Sequence, residues 1–130
     1  MKKSFFTLLF VLFTVNFYSQ EKSIEDNDVY SSAGIEVLPE FPGGQKAFGE
    51  YFSKNYKYPN VKGLKGRVFV EFVIEKDGSI GDIKVLRDLG YGTGEEAIRV
   101  LKESPLWKPG MQEGKLIRVK YALPINVDII

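Results

Sequence analysis

The sequence predicts a small α+β fold, a two-layer sandwich in which two helices cover one face of a three-stranded antiparallel sheet. Two segments place apolar residues three and four positions apart, as on one face of a helix. Three other segments are rich in β-branched residues or alternate between apolar and polar residues. The five segments follow the order helix, strand, strand, helix, strand, which permits both helices to lie on the same side of the sheet.

The first predicted helix spans residues 44–56, after a turn at residues 41–44. It ends before Pro59, because a residue that precedes proline is disfavoured in the helical region. The next segment, Arg67 to Glu75, is apolar on both faces, which indicates a central strand. An Asp-Gly turn then leads to the return strand, Ile80 to Leu86, so these two strands form a hairpin.

The second predicted helix spans residues 94–103, with Thr93 as the capping residue and Pro105 beyond its end. A rigid connector follows, in which Trp107 stands between two prolines. We predict that Trp107 is a buried core residue, since a large aromatic side chain in a fixed segment is typical of a core.

The last predicted strand, Ile117 to Ile129, alternates strictly between apolar and polar residues. It contains Pro124, which cannot donate ladder hydrogen bonds on both sides, so this strand either lies at a sheet edge or carries a bulge. An edge offers unpaired N–H and C=O groups to an extended partner peptide or to a second copy of the chain. We predict partner binding there, and alternation places these residues on the outer face: Arg118, Lys120, Ala122, Pro124 and Asn126. The alternative is an edge strand without a partner.

The first twenty residues are typical of a secretory signal peptide. Lys2 and Lys3 precede an uncharged run, Phe5 to Tyr18, that would span roughly 21 Å as a helix, less than a hydrocarbon core of about 30 Å. Residues 21–40 carry one basic and six acidic residues and little periodicity, which predicts a poorly ordered acidic linker. The domain itself is expected over residues 41–130.

The composition excludes most catalytic chemistry, since the chain contains no cysteine and no histidine. A thiol nucleophile, a disulfide, the Ser-His-Asp triad and most zinc sites are therefore absent. The glycines of residues 90–94 lack the spacing of a dinucleotide-binding motif, and the basic stretch of residues 54–67 is expected to be a solvated rim rather than a nucleic-acid site. We expect a binding protein without enzymatic activity or cofactor.

A series of short motifs runs through residues 41–130: Phe41-Pro42-Gly43-Gly44, Tyr58-Pro59, Gly66-Arg67-Val68, Asp77-Gly78-Ser79-Ile80, Glu96-Ala97, Pro105-x-Trp107-x-Pro109-Gly110, Gly114-Lys115 and Val119-x-Tyr121-x-Leu123-Pro124-Ile125. Each motif is weak alone. The ordered series resembles the TonB C-terminal domain family, in particular its versions in Bacteroidetes-type bacteria. The turn and connector residues of these motifs are expected to be structural.

The resemblance implies a periplasmic module that binds the TonB box of TonB-dependent outer-membrane transporters by adding this peptide as a strand to its sheet. Full-length members have a membrane anchor and a long Pro-rich spacer, whereas residues 21–40 would reach at most about 70 Å when extended. We therefore expect a stand-alone exported domain. The alternatives are an energy transducer that retains residues 5–18 as its anchor and an envelope interaction protein unrelated to transport.

Overall fold

The structure, a computed structural model, describes residues 27–130. The expected signal peptide and the start of the acidic linker lie outside this range. Within these residues, two helices and five strands follow one another: β1 Val29–Ser31, α1 Gln45–Asn55, β2 Lys65–Ile74, β3 Ile80–Arg87, α2 Thr93–Lys102, β4 Gly110–Gln112 and β5 Lys115–Asp128. The predicted α+β class and the order of its five elements are confirmed.

The sheet has the order β1-β5-β2-β3, and β4 pairs separately with β5. As predicted, β2 is central: it pairs antiparallel with β3 on one side and with β5 on the other. Its register with β5 is continuous from Lys65–Asp128 to Ile74–Val119. The two long apolar strands are therefore joined along ten residues, which gives the fold its main long-range pairing.

The core lies between the helices and one face of the sheet. Four β2 residues on this face are almost completely buried: Val68, Val70, Phe72 and Ile74. Their β5 partners on the same face include Ile125 and Tyr121. Phe52 from α1 and Leu101 from α2 pack into the same cluster, which confirms that both helices cover one side. Burial of each such side chain contributes about 1.5–3 kcal/mol to folding.

The acidic linker contributes a strand, which corrects the expectation that it is poorly ordered. β1 pairs parallel with Arg118–Lys120 of β5. Farther along, Val37 bridges to Met111, and Glu40 exchanges backbone hydrogen bonds with Lys108 at 2.9 and 2.7 Å. Residues 27–40 are thus part of the folded unit, because their backbone groups pair with β4, β5 and the connector.

The cap of α2 also differs from the prediction. Gly92 is the N-cap residue, with a φ of 75°, and Thr93 lies inside the helix. The Asp88 carboxylate takes the capping role instead: its Oδ1 accepts hydrogen bonds from the Gly90 and Gly94 backbone nitrogens at 2.9 and 3.3 Å. The Thr93 hydroxyl lies 2.8 Å from the same oxygen, and this contact is the main cause of the lowered pKa of Asp88.

Candidate functional site

The outer edge of β5 is free along part of its length. On the side away from β2, Tyr121 to Asp128 have no strand partner within residues 27–130. β1 pairs with the preceding segment of β5, Arg118 to Lys120. After Ser31, the last residue of β1, the chain leaves the sheet. The prediction that the whole strand is an edge is therefore wrong for residues 118–120, because a three-residue strand covers them.

The direction of the free backbone groups follows from Pro124. The β2–β5 register continues through the pair Phe69–Pro124 without a break. Since proline has no N–H, a continuous ladder at this position requires that its nitrogen faces away from β2. Alternate residues of a strand direct their N–H and C=O groups to the same side. We therefore infer that Ala122 and Asn126 present their backbone groups to the free edge.

The five predicted site residues divide into two groups. Ala122, Pro124 and Asn126 are exposed and lie on the free edge. Arg118 and Lys120 lie beside β1 and are engaged in ion pairs. Three of the five residues thus lie on an edge with no strand partner in residues 27–130, whereas β1 covers the edge at Arg118 and Lys120.

Arg118 connects three elements on the face of the sheet opposite the helices. Its Nε lies 2.7 Å from Glu75 Oε2, and its Nη2 lies 3.0 Å from Asp82 Oδ2. Its Nη1 donates to the Asn27 carbonyl oxygen at 3.1 Å, which ties the segment before β1 to β5. The hydrogen bond to Glu75 is the main cause of the raised pKa of Arg118. The Arg118 guanidinium is therefore engaged in contacts within the fold, including the one that fixes the segment before β1.

A cavity of about 560 Å³ opens beside the free edge. Its wall is formed by the segment before α1, the first turns of α1, the core aromatic residues and the start of the free edge: Ser32, Leu38, Pro39, Glu40, Phe41, Gln45, Phe48, Phe72, Trp107, Tyr121, Ala122, Leu123 and Pro124. No sequence pattern predicts this cavity. Trp107 was predicted as a core residue, and its distance along the chain from Phe48 carries no sign of an opening between the two.

Trp107 forms the back of the cavity. Its side chain is 7% exposed, which confirms the predicted burial. The Phe41 and Phe48 rings meet the Trp107 ring edge to face, with centroids 5.6 and 4.9 Å away. The Trp107 Nε1 donates to Ser104 Oγ at 3.0 Å, so its polar atom is satisfied. The cavity therefore has a rigid aromatic wall.

The remaining motif residues lie mostly in turns and in the connector. Asp77 accepts hydrogen bonds from the Ser79 nitrogen and hydroxyl at 2.9 and 2.6 Å, which lowers its pKa and fixes the hairpin turn that contains Gly78. Gly110 is the first residue of β4, and seven others lie in the turn before α1, after α1 and in the connector: Pro42, Gly43, Gly44, Tyr58, Pro59, Pro105 and Pro109. That these residues are structural stays a prediction.

Two features of other protein classes are absent from residues 27–130. No helix there is both long and apolar enough to cross a membrane. No group of three or more carboxylates is arranged there to hold a metal ion.

Residues 55–129 match the family model described as the C-terminal domain of Gram-negative bacterial TonB protein. Among solved structures, the chain is similar to the NMR solution structure of Helicobacter pylori TonB-CTD, at 25% identity and a TM-score of 0.47. That similarity covers 68% of this chain and 87% of the other. No curated protein matches the chain.

Proposed function

The chain belongs to the TonB C-terminal domain family, and we propose that it binds a peptide segment of a TonB-dependent outer-membrane transporter as an added strand on the free edge of β5. Domains of this family are periplasmic interaction domains that contact such transporters and serve envelope transport. The family assignment thus gives the class of partner, and the free edge suggests how the partner is held.

The free edge from Tyr121 to Asp128 is the observation that carries this proposal. An extended peptide beside these residues gains main-chain hydrogen bonds of the same kind that join β5 to β2. The exposed side chains of Ala122, Pro124 and Asn126 would then adjust selectivity. Most of the affinity is expected to come from the backbone, so substitution of these side chains should have modest effects.

β1 supports a parallel orientation of the partner strand. Val29 to Ser31 are the chain's own example of a short segment that pairs with this edge, and they run parallel to β5. A partner strand that continues beyond Lys120 in the same direction would meet the free backbone groups of the edge. A longer partner would compete with β1 for residues 118–120.

A proline substitution in the free edge tests the proposal. The probes are synthetic peptides that carry the TonB box of TonB-dependent transporters from the same organism. Ala122→Pro removes an outward donor and should weaken binding by about tenfold, whereas Ala122→Val keeps the N–H and should bind within about threefold of wild type. Each variant first needs an unfolding curve, because only folded variants are informative.

Amide hydrogen exchange locates the bound peptide in the same samples. New protection is expected at the outward amides of Ala122 and Asn126 on peptide addition, because Pro124 has no amide hydrogen and the residues between them already bond to β2. The proposal is wrong if a folded Ala122→Pro variant binds as tightly as wild type, or if protection appears on the basic stretch of residues 54–67 and not on the edge. Protection of the edge without peptide, in a sample that sediments as a dimer, would instead indicate a homodimer through β5.

We also propose that the protein is exported and that residues 1–20 are removed. The basic start and the short uncharged run support this, although they lie outside the described residues. Mass spectrometry of the protein from the periplasmic fraction should give an N-terminus near Glu21. An intact N-terminus in the membrane fraction would favour the alternative in which residues 5–18 remain as an anchor.

A further inference from the structure

We propose that the aromatic cavity beside β5 is a side-chain pocket that selects a partner strand with an aromatic residue at the position opposite Tyr121 or Leu123. This inference rests on the proposed strand addition and adds a requirement on the sequence of the partner. The cavity volume, about 560 Å³, lies within the range of small-ligand sites.

The position of the pocket relative to the edge carries the proposal. Tyr121, Ala122, Leu123 and Pro124 form one side of the cavity and are also the first four residues of the free edge. Ser32, the residue directly after β1, lies on the cavity wall as well. A parallel strand that follows the path of β1 past Lys120 therefore passes directly along the opening.

The pleat of the sheet determines which side chains of the added strand point into the cavity. Residues paired across neighbouring strands point to the same face, and successive residues alternate between faces. Tyr30 is paired with Val119, whose side chain is buried on the helix side. Continued in that register, an added strand would direct the residues opposite Tyr121 and Leu123 to the helix side, where the cavity lies. These two positions are two residues apart in the partner.

The lining of the pocket favours an aromatic occupant. Phe48, Tyr121 and Leu123 are only partly buried, so their apolar surfaces remain accessible from the cavity. Leu38 at the rim is 52% exposed. An aromatic ring would cover this surface and make further edge-to-face contacts with the wall, whereas a carboxylate would lose its hydration there.

Blocked octapeptides in which threonine alternates with valine provide the probe. One central valine is replaced by phenylalanine, alanine or aspartate, and the affinity of the protein for each peptide is measured by calorimetry. We expect the phenylalanine peptide to bind about tenfold more tightly than the alanine peptide, and the aspartate peptide to bind more weakly than both. Trp107 is the only tryptophan of the chain, so its emission should shift with the phenylalanine peptide alone.

Two matched variants show whether the pocket is the cause. Leu38→Asp places a carboxylate at the rim, and Leu86→Asp makes the same change at a residue with similar exposure, 58%, that does not line the cavity. The preference for phenylalanine over alanine should fall below about threefold in Leu38→Asp and remain in Leu86→Asp.

The outcomes separate the pocket from strand addition itself. Equal binding of all three peptides, with new protection at the Ala122 and Asn126 amides, would overturn the pocket and leave the proposed function intact. Absence of any edge protection with these peptides and with the transporter peptides would overturn both. A peptide-free dimer in which these two amides are protected would mean that a second copy occupies the edge, which would also overturn the pocket.

Discussion

The backbone nitrogen of Trp107 donates a 2.8 Å hydrogen bond to the carbonyl oxygen of Gly78. This contact joins the β2–β3 turn to the connector that carries the cavity wall. The approach is so close that a Cβ atom on Gly78 would lie 1.9 Å from the Trp107 carbonyl oxygen. Only glycine fits at this position, because the φ angle of 87° is also unfavourable for other residues.

Gly78→Ala is therefore expected to be strongly destabilising, by at least about 3 kcal/mol, since backbone strain and steric overlap add. Urea unfolding followed by fluorescence measures the loss. The matched control is Gly114→Ala in the β4–β5 turn, where φ is 74° and no atom lies within 4 Å of the added Cβ. That control should lose about 1–2 kcal/mol. Similar decreases in the free energy of unfolding in both variants would mean that the backbone at Trp107 moves away from an added Cβ at little energetic cost.

Trp107→Ala should lower the free energy of unfolding by about 3–5 kcal/mol, the usual range for truncation of a large buried aromatic residue. The reason is the loss of its packing against Phe41 and Phe48. Leu106→Ala is the control, because this neighbour is 63% exposed and should change stability by less than about 0.5 kcal/mol. Thermal unfolding followed by circular dichroism distinguishes the two, and comparable effects would contradict the assigned burial.

Tyr56 should make the protein sensitive to strongly alkaline pH. Its hydroxyl donates to the Thr93 carbonyl oxygen at 2.8 Å, and burial raises its pKa from 10.0 to about 12. The folded state favours the neutral phenol, so this stabilisation is present below pH 10 and is lost as the pH rises from 10 to 12.

Urea unfolding between pH 8 and 12 tests this, with Tyr56→Phe as the variant that cannot ionise. The decline in stability above pH 10 should be shallower in Tyr56→Phe than in wild type. It should not vanish, because burial also raises the pKa of Tyr51 and Tyr121. Equally steep declines in both proteins would show that Tyr56 titrates at its ordinary pKa.

Two truncated chains locate the start of the folding unit. A chain that begins at Glu36 loses β1 but keeps the bonds of Val37 and Glu40, so it should unfold cooperatively with a midpoint only a few degrees lower. A chain that begins at Gln45 also loses Phe41, which is 6% exposed and packs on Trp107. Its free energy of unfolding should be about 3–5 kcal/mol lower than that of the chain that begins at Glu36. Non-cooperative melting of the Glu36 chain would show that β1 is required for the fold.

The long elements were predictable because their signals are local. β2 and β5 carry apolar patterns over ten or more residues, and α2 places Ala97 and Leu101 four residues apart on its buried face. Burial of Trp107 followed from its size and its position between prolines. In each case one continuous stretch of sequence contains enough residues to define a period.

The features that the sequence did not reveal depend on contacts between distant segments. β1 has only three residues, too few to show a period, and it exists because Val29 to Ser31 meet residues 118–120. Asp88 caps α2 through a loop that no standard capping pattern describes. The cavity is a gap between Phe48, Trp107 and Tyr121, and its presence depends on how three elements meet in space.

The place of β5 in the sheet also decides when the fold can be completed. This strand lies between β1 and β2 although it follows every other element along the chain. While a nascent chain emerges, β2 therefore has its β3 neighbour on one side but lacks its longer partner on the other, and that edge of β2 stays unpaired until residue 128 has appeared. Such unfinished chains expose one unpaired edge of an apolar strand, which favours aggregation. Ribosome-stalled chains that end before residue 115 should bind chaperones, and release of the full length should end that binding.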